Sequence, residues 1–110
     1  MQADVVLDTH YFSAGSTTYD LFSYDQPIVT WPGIWNIGRY TLACYRKMGM
    51  TDLVANNSQE YAALAHRIAT DRAWQGALRA AIRQRTPQLF QDAQAIAEHQ
   101  AFFLDAVGRL

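Results

Sequence analysis

The fold turns on residues 5–32, VVLDTHYFSAGSTTYDLFSYDQPIVTWP. The stretch opens with an apolar run, Val5-Val6-Leu7, that ends at Asp8 and gives way to a loop carrying Ser13, Ala14 and Gly15. Ser16, Thr17 and Thr18 follow, then a segment of helical character from Tyr19 to Tyr24, and then a second β-rich run, Pro27 to Thr30. Strand, glycine-containing loop, helix, strand is the order of a βαβ crossover, so the two runs are expected to pair in parallel. The first run reads as buried on both faces, which is the mark of a parallel sheet covered by helices. Leu53–Ala55 supplies a short third strand candidate.

A loop of small residues feeding a helix N-terminus is also an anion site. The first N–H groups of a helix lack intrahelical partners, and the helix dipole favours negative charge there. The hydroxyls of Ser16, Thr17 and Thr18 add donors, and Asp20 can accept hydrogen bonds from the vicinal hydroxyls of a sugar. Those features together suggest a phosphate-plus-ribose site, that is, a nucleotide. The same residue types are the preferred helix N-caps, so capping alone is the competing reading.

Beyond this unit the chain is similar over nearly its whole length to the C-terminal part of the O-GlcNAc transferase/SPINDLY family. The resemblance is carried by an ordered set: Leu7-Asp8-Thr9, Gly15-Ser16-Thr17-Thr18, Asp20, Pro27-Ile28-Val29-Thr30-Trp31-Pro32-Gly33, Arg39, Gly49-Met50-Thr51-Asp52-Leu53-Val54-Ala55 and Tyr61. It implies an α/β fold, a partial Rossmann-like parallel sheet from the C-terminal half of a GT-B glycosyltransferase domain followed by helices. Such domains usually follow tetratricopeptide repeats. The implied activity is nucleotide-sugar-dependent, UDP-sugar-like, protein O-glycosylation. The implied substrate-binding residues are Gly15, Ser16, Thr17 and Thr18 around the phosphates and Asp20 on the ribose. Ser16 stands where relatives carry Asn or His. The spacing to Asp20 also allows a one-residue shift that brings Gly15 under the His.

Composition narrows the classes. The 110 residues suit one domain, and 50% apolar residues suffice for a core. Nine basic against ten acidic residues, net −1, give no footprint for nucleic acid or a lipid surface. The single cysteine, Cys44, forms no internal disulfide and reads as a buried small hydrophobe in a reducing, cytoplasmic compartment. No run is long enough for a membrane span. No cofactor or metal is expected: His10, His66 and His99 lie on separate segments without ligand spacing. His66 and His99 read as surface residues. His10 is the more interesting, because ligands in open α/β sheets bind beyond the carboxyl ends of strands.

Downstream, a helix is expected from Ile34 to Met48 with Ile37, Tyr40, Cys44 and Met48 on its buried face and Gly49 closing it. Arg39 near its start is either a solvated arginine or a clamp near the donor pocket. Trp31 and Trp35 read as core anchors, with a platform for a base or sugar as the alternative. Asn57 with Glu60 marks a capping-box start for a helix to Thr70 with Tyr61, Leu64, Ala65 and Ile68 as its stripe. Thr70-Asp71 starts another to Gln84, and Thr86-Pro87 a further N-terminus. A last helix is expected to Val107, with Ile96, Gln100, Phe103 and Val107 facing inward.

The strand count falls short of a complete parallel sheet, so residues 1–110 are read as the C-terminal portion of a longer enzyme. The catalytic base is assigned to none of its residues. Turnover is not expected from this chain alone, whereas an unpaired sheet edge, an exposed apolar patch and self-association are. Its partners are a nucleotide-sugar and, in the full-length parent, a protein acceptor. The alternative is a non-catalytic interaction or scaffold domain that keeps the half-Rossmann shape.

Overall fold

A computed structural model describes residues 4–109. Strand β1 (Val6–Leu7) and strand β2 (Ile28–Val29) pair in parallel, with Val6 opposite Ile28 and Leu7 opposite Val29. Thr30 makes a parallel bridge to Val54, held by Thr30 N–H to Leu53 O at 3.0 Å and Ala55 N–H to Thr30 O at 2.7 Å. The βαβ order and the third run thus form as expected, with ladders shorter than the apolar runs. Among the described residues no strand pairs with the other edge of β1.

Between the strands lies helix α1 (Ser16–Ser23), which begins three residues earlier than expected. The hydroxyl residues therefore form its first turn instead of preceding it. Thr18 allows this because its hydroxyl folds back to donate to the Ala14 carbonyl. Two residues past the end of the helix the chain turns at Asp25, whose φ of 59° is left-handed. Its carboxylate pairs with Arg83 at 2.8 Å.

The chain then departs from the continuous helix expected over residues 34–48. A 3₁₀ turn covers Asn36–Gly38, and helix α2 runs only from Tyr40 to Met48. The break follows from a close backbone crossing. Gly33 N–H donates to Gly38 O at 3.3 Å, and Ser13 N–H reaches Ile37 O at 2.7 Å. The buried face of α2 is correspondingly Thr41, Cys44, Tyr45 and Met48, whereas Ile37 and Tyr40 are exposed. Gly49 closes α2 at φ 72°, as its position suggested.

Helices α3 (Ser58–Thr70), α4 (Arg72–Arg85), α5 (Pro87–Phe90) and α6 (Ala93–Gly108) complete the chain. Asn57 caps α3 through Glu60 N–H at 2.8 Å, and Glu60 returns to Asn56 N–H at 2.7 Å, one residue off the reciprocal box. Asp71 caps α4 through Trp74 N–H at 3.0 Å, and Asp92 caps α6 through Ala95 N–H at 3.1 Å. Each cap is worth about 1 kcal/mol. Thr86 makes no side-chain cap for α5, although Pro87 takes the first-turn position.

The core gathers Phe22 from α1, Ile28 and Val29 from β2, Tyr45 and Met48 from α2, Leu53, Ile68 from α3, and Leu78 and Ile82 from α4. Burying each such side chain contributes about 1.5–3 kcal/mol. Tyr45 also completes β2: its hydroxyl donates to Ile28 O at 2.6 Å and accepts from Ile28 N–H at 2.9 Å. Burial raises its pKa, so it stays a neutral donor. Arg85 ties α4 to the end of α2 through Gly49 O at 2.7 Å. Helix α6 is the outlier. It buries no residue, so Ile96, Gln100, Phe103 and Val107 do not face inward as the periodicity suggested. Its anchor is at its start, where the Lys47 ammonium and the Ala95 N–H lower the pKa of Asp92.

Two glycines test this packing from opposite sides. A Cβ on Gly38 would lie 2.8 Å from His10 O and 3.2 Å from Tyr11 O, while one on Gly76, inside α4, meets nothing within 4 Å. Gly38→Ala is expected to lower stability in urea by about 1–3 kcal/mol. Gly76→Ala is expected to raise it by about 0.5–1 kcal/mol. Equal effects would refute the close crossing at Gly38.

Candidate functional site

The site is built on a buried carboxylate. Asp8 follows β1 with 2% of its surface exposed, and its oxygens accept from Ser13 Oγ at 2.8 Å, Thr30 Oγ1 at 2.8 Å and Ala14 N–H at 2.9 Å. Tyr61 donates to its backbone carbonyl. The network extends through hydroxyls. Ser13 Oγ accepts from Thr41 N–H at 3.2 Å, which caps α2 from a distant loop, and Thr41 Oγ1 lies 3.1 Å from Thr18 Oγ1. Asp8, Ser13, Thr18, Thr30 and Thr41 are all buried. They fix the loop over residues 9–15 against β2, α1 and α2 at once.

That fixation sorts the five sequence-predicted residues. Thr18 faces the network with its side chain buried, whereas Ser16, Thr17 and Asp20 are exposed on α1 and Gly15 is half-buried as its N-cap. Gly15 offers no side chain, so α1 starts without the side-chain cap that Asn57, Asp71 and Asp92 supply to α3, α4 and α6. Its first N–H groups remain available to an external acceptor. Ser16 and Asp20 lie four residues apart on one face, about 6 Å along the axis. A cavity of about 410 Å³ opens beside this terminus, lined by Gly15, Ser16, Tyr19, Tyr40, Ala43 and Cys44. Cys44 is buried, and burial raises its thiol pKa, consistent with the packing role expected for it.

A second cavity, of about 430 Å³, lies at the other end of the same loop, among His10, Tyr11, Trp31, Pro32, Gly33, Ile34, Trp35 and Asn56. His10 is oriented by Trp31: the rings stack with centroids 3.8 Å apart, and His10 Nδ1 lies 2.7 Å from Trp31 O. Trp35 is 71% exposed and is not a core anchor, because the 3₁₀ turn carries it outward. Arg39 donates to Gly33 O at 2.8 Å and so latches the turn that lines this cavity. His66 and His99 are exposed on α3 and α6. Among the described residues no three His, Cys, Asp or Glu side chains gather as a metal site, and no helix is long and apolar enough to cross a membrane.

The model of glycosyl transferase family 41 matches residues 1–98. The chain belongs to this family. A solved O-GlcNAc transferase variant from Thermobaculum terrenum is similar at 27% identity with a TM-score of 0.79. The match covers 91% of this chain but 20% of that one, so the chain spans about a fifth of the length of its structural relative. The match agrees with the expected C-terminal GT-B region. In this family 41 chain the α1 residues expected from the sequence lie together at the start of one helix, and the network beneath them, which includes Thr18, was not expected. A signal for it was present: an Asp ending an apolar run, with a Ser five residues on and a Thr ending the next run, places polar groups against the buried β2, although β1, expected to be buried on both faces, leaves Leu7 48% exposed.

Thr17 and Thr18, adjacent and alike, are expected to respond oppositely to loss of the hydroxyl. Thr18→Val strips a buried donor from Ala14 O and a buried partner from the Thr41 hydroxyl, and a lowered melting temperature is expected, equivalent to about 1–3 kcal/mol. Thr17→Val, on the exposed face, is expected to stay within about 0.5 kcal/mol of the parent. Thermal melts of the two variants decide it, and equal losses would contradict the sorting.

Proposed function

We propose that the chain holds the diphosphate and ribose of a UDP-sugar donor for a glycosyltransferase that modifies protein hydroxyls. The observation that carries the reading is the uncapped, exposed start of α1 beside a cavity that Gly15 and Ser16 line, with Thr17 exposed next to them and Asp20 one turn on. Family membership supports the reaction class, and the O-GlcNAc transferase likeness supports the donor and acceptor types.

In this reading Gly15 lets the diphosphate approach the backbone, the Ser16 and Thr17 N–H and hydroxyl groups donate to its oxygens, and Asp20 accepts from the ribose diol. Thr18 acts from below, holding the turn to Thr41. As the sugar departs, negative charge grows on the leaving diphosphate. Fixed donors and the positive end of α1 then stabilise it where it develops. No residue of this chain is assigned as catalytic base, and turnover belongs to the longer protein. Of the two sequence registers, the one placing Gly15 under the family's His agrees better with this geometry, because it leaves Ser16 and Thr17 as the hydroxyl pair.

Calorimetric titration of UDP tests the reading. Asp20→Ala is expected to weaken binding about tenfold or more, since each charge-assisted hydrogen bond contributes roughly 1.5–3 kcal/mol. Thr17→Val is expected to weaken it less, with melting temperatures unchanged in both. Unaltered affinity in both variants would remove α1 from the donor site and favour a non-catalytic scaffold.

A further inference from the structure

The cavity at the His10 end of the loop takes no part in the contacts assigned to the diphosphate and ribose. Its lining combines exposed rings with hydrogen-bonding groups of both kinds. Trp35 and Tyr11 are exposed, and Trp31 is held by its stack on His10 at 3.8 Å. The Trp31 carbonyl can only accept, so His10 Nδ1, 2.7 Å from it, carries the proton of the neutral ring and Nε2 is an acceptor. The indole N–H groups of Trp31 and Trp35 are donors, and the Tyr11 hydroxyl and Asn56 amide are both donor and acceptor. A pyranose matches that combination: its C–H face lies on an aromatic ring while its rim of hydroxyls donates and accepts. Charge narrows the sugar. Among the described residues the lining has no Lys, Arg, Asp or Glu, and the Glu60 carboxylate beside it accepts from Asn56 N–H at 2.7 Å. A sugar bearing a carboxylate would meet no cation there and would stand near an anion.

The order of the donor's parts places its sugar at this end. Base, ribose, diphosphate and sugar are joined in that sequence. With the ribose on Asp20, inside α1, and the diphosphate at the helix start, the sugar lies past that start. The loop over residues 9–15 arrives from that side and carries His10 and Tyr11. Tyr11 and Gly15 are four residues apart on it, so they lie within about 14 Å of each other. Ser13, between them, is tied to Ile37 O at 2.7 Å. The cavity beside Gly15, walled by Ser16 and Tyr19 of α1 itself, flanks the ribose and diphosphate instead. We infer that the His10 cavity receives the transferred sugar of the donor, that it takes an uncharged pyranose, and that Trp35 is its specificity-determining residue. The inference rests on the proposed donor site. Arg39, through Gly33 O at 2.8 Å, holds the turn that presents Trp35.

The test titrates the 110-residue chain by calorimetry with UDP, UDP-glucose and UDP-glucuronate. Methyl glucopyranoside is titrated separately, with NMR detection of the indole N–H signals of Trp31, Trp35 and Trp74. UDP-glucose is expected to bind about tenfold more tightly than UDP, and UDP-glucuronate about tenfold less tightly than UDP-glucose. The glucoside is expected to move the Trp31 and Trp35 signals and leave that of Trp74, on α4, in place. Trp35→Ala, at an exposed position, is expected to keep the parent's melting temperature and erase the gain of UDP-glucose over UDP. A UDP-glucose affinity no greater than that of UDP overturns the inference, as does a gain that survives Trp35→Ala. Equal binding of the glucuronate overturns the selection for an uncharged sugar. A chain that fails to bind UDP while the glucoside moves Trp31 and Trp35 would sink the donor assignment and leave a sugar site. UDP binding with neither the gain nor the glucoside response would sink only the cavity, and a chain that binds neither probe would sink both.

Discussion

The buried Asp8 carboxylate is the constraint on which the site depends. A carboxylate at 2% exposure with no cationic partner among the described residues is tolerable only when hydrogen-bond donors replace its water. Here two hydroxyls and a backbone N–H do so, from Ser13, Thr30 and Ala14. Those donors come from the loop after β1 and from the end of β2, so satisfying one charge aligns the carboxyl ends of both strands. The requirement then propagates. Ser13, held by Asp8, becomes the distant cap of α2 through Thr41, and Thr41 in turn meets Thr18 on α1. Among the described residues no buried side-chain nitrogen or oxygen lacks a partner. The network is therefore complete, the condition under which buried polar groups specify a unique arrangement.

Completion inside leaves the opening outside. With Thr18 engaged below and Gly15 lacking a side chain, no local group caps the start of α1. The other end of the loop is fixed differently, by shape. Gly38 lets the His10 and Tyr11 carbonyls pass close to its backbone, and Arg39 latches the turn through Gly33 O. This crossing is also why no continuous helix forms between Gly33 and Met48: the residues that would form its first turns are taken up by the crossing. Trp35 is consequently displayed at the surface.

Much of the fold was legible because it depends on local signals. The parallel pairing follows from two short β-rich runs around a helix, and the starts of α3, α4 and α6 follow from Asn57, Asp71 and Asp92. What periodicity could not supply was the identity of the covering surface. The apolar positions Ile96, Phe103 and Val107 have helical spacing, yet nothing among the described residues covers them. Amphipathic spacing states that a face is apolar and is silent about which chain buries it. The same limit applies to Trp35. For the candidate site, residue type identified the hydroxyl run, but three consecutive hydroxyls in a helix's first turn point in three directions. Only the tertiary partner Thr41 distinguishes Thr18 from its neighbours.

That separation of neighbours has a chemical consequence. A helix turns about 100° per residue, so residues 16, 17 and 18 cannot all face one ligand. If Thr18 turned outward, Thr41 and the Ala14 carbonyl would lose a buried partner, at a cost comparable to one hydrogen bond to an incoming phosphate. The inward fate of Thr18 is therefore stable with or without a ligand. The exposed hydroxyls of Ser16 and Thr17, by contrast, need give up only water to meet an anion. A loop fixed from beneath by Asp8 and open above at α1 is preorganised in the physical sense: its donors stay in place because other groups, already satisfied, hold the backbone that carries them.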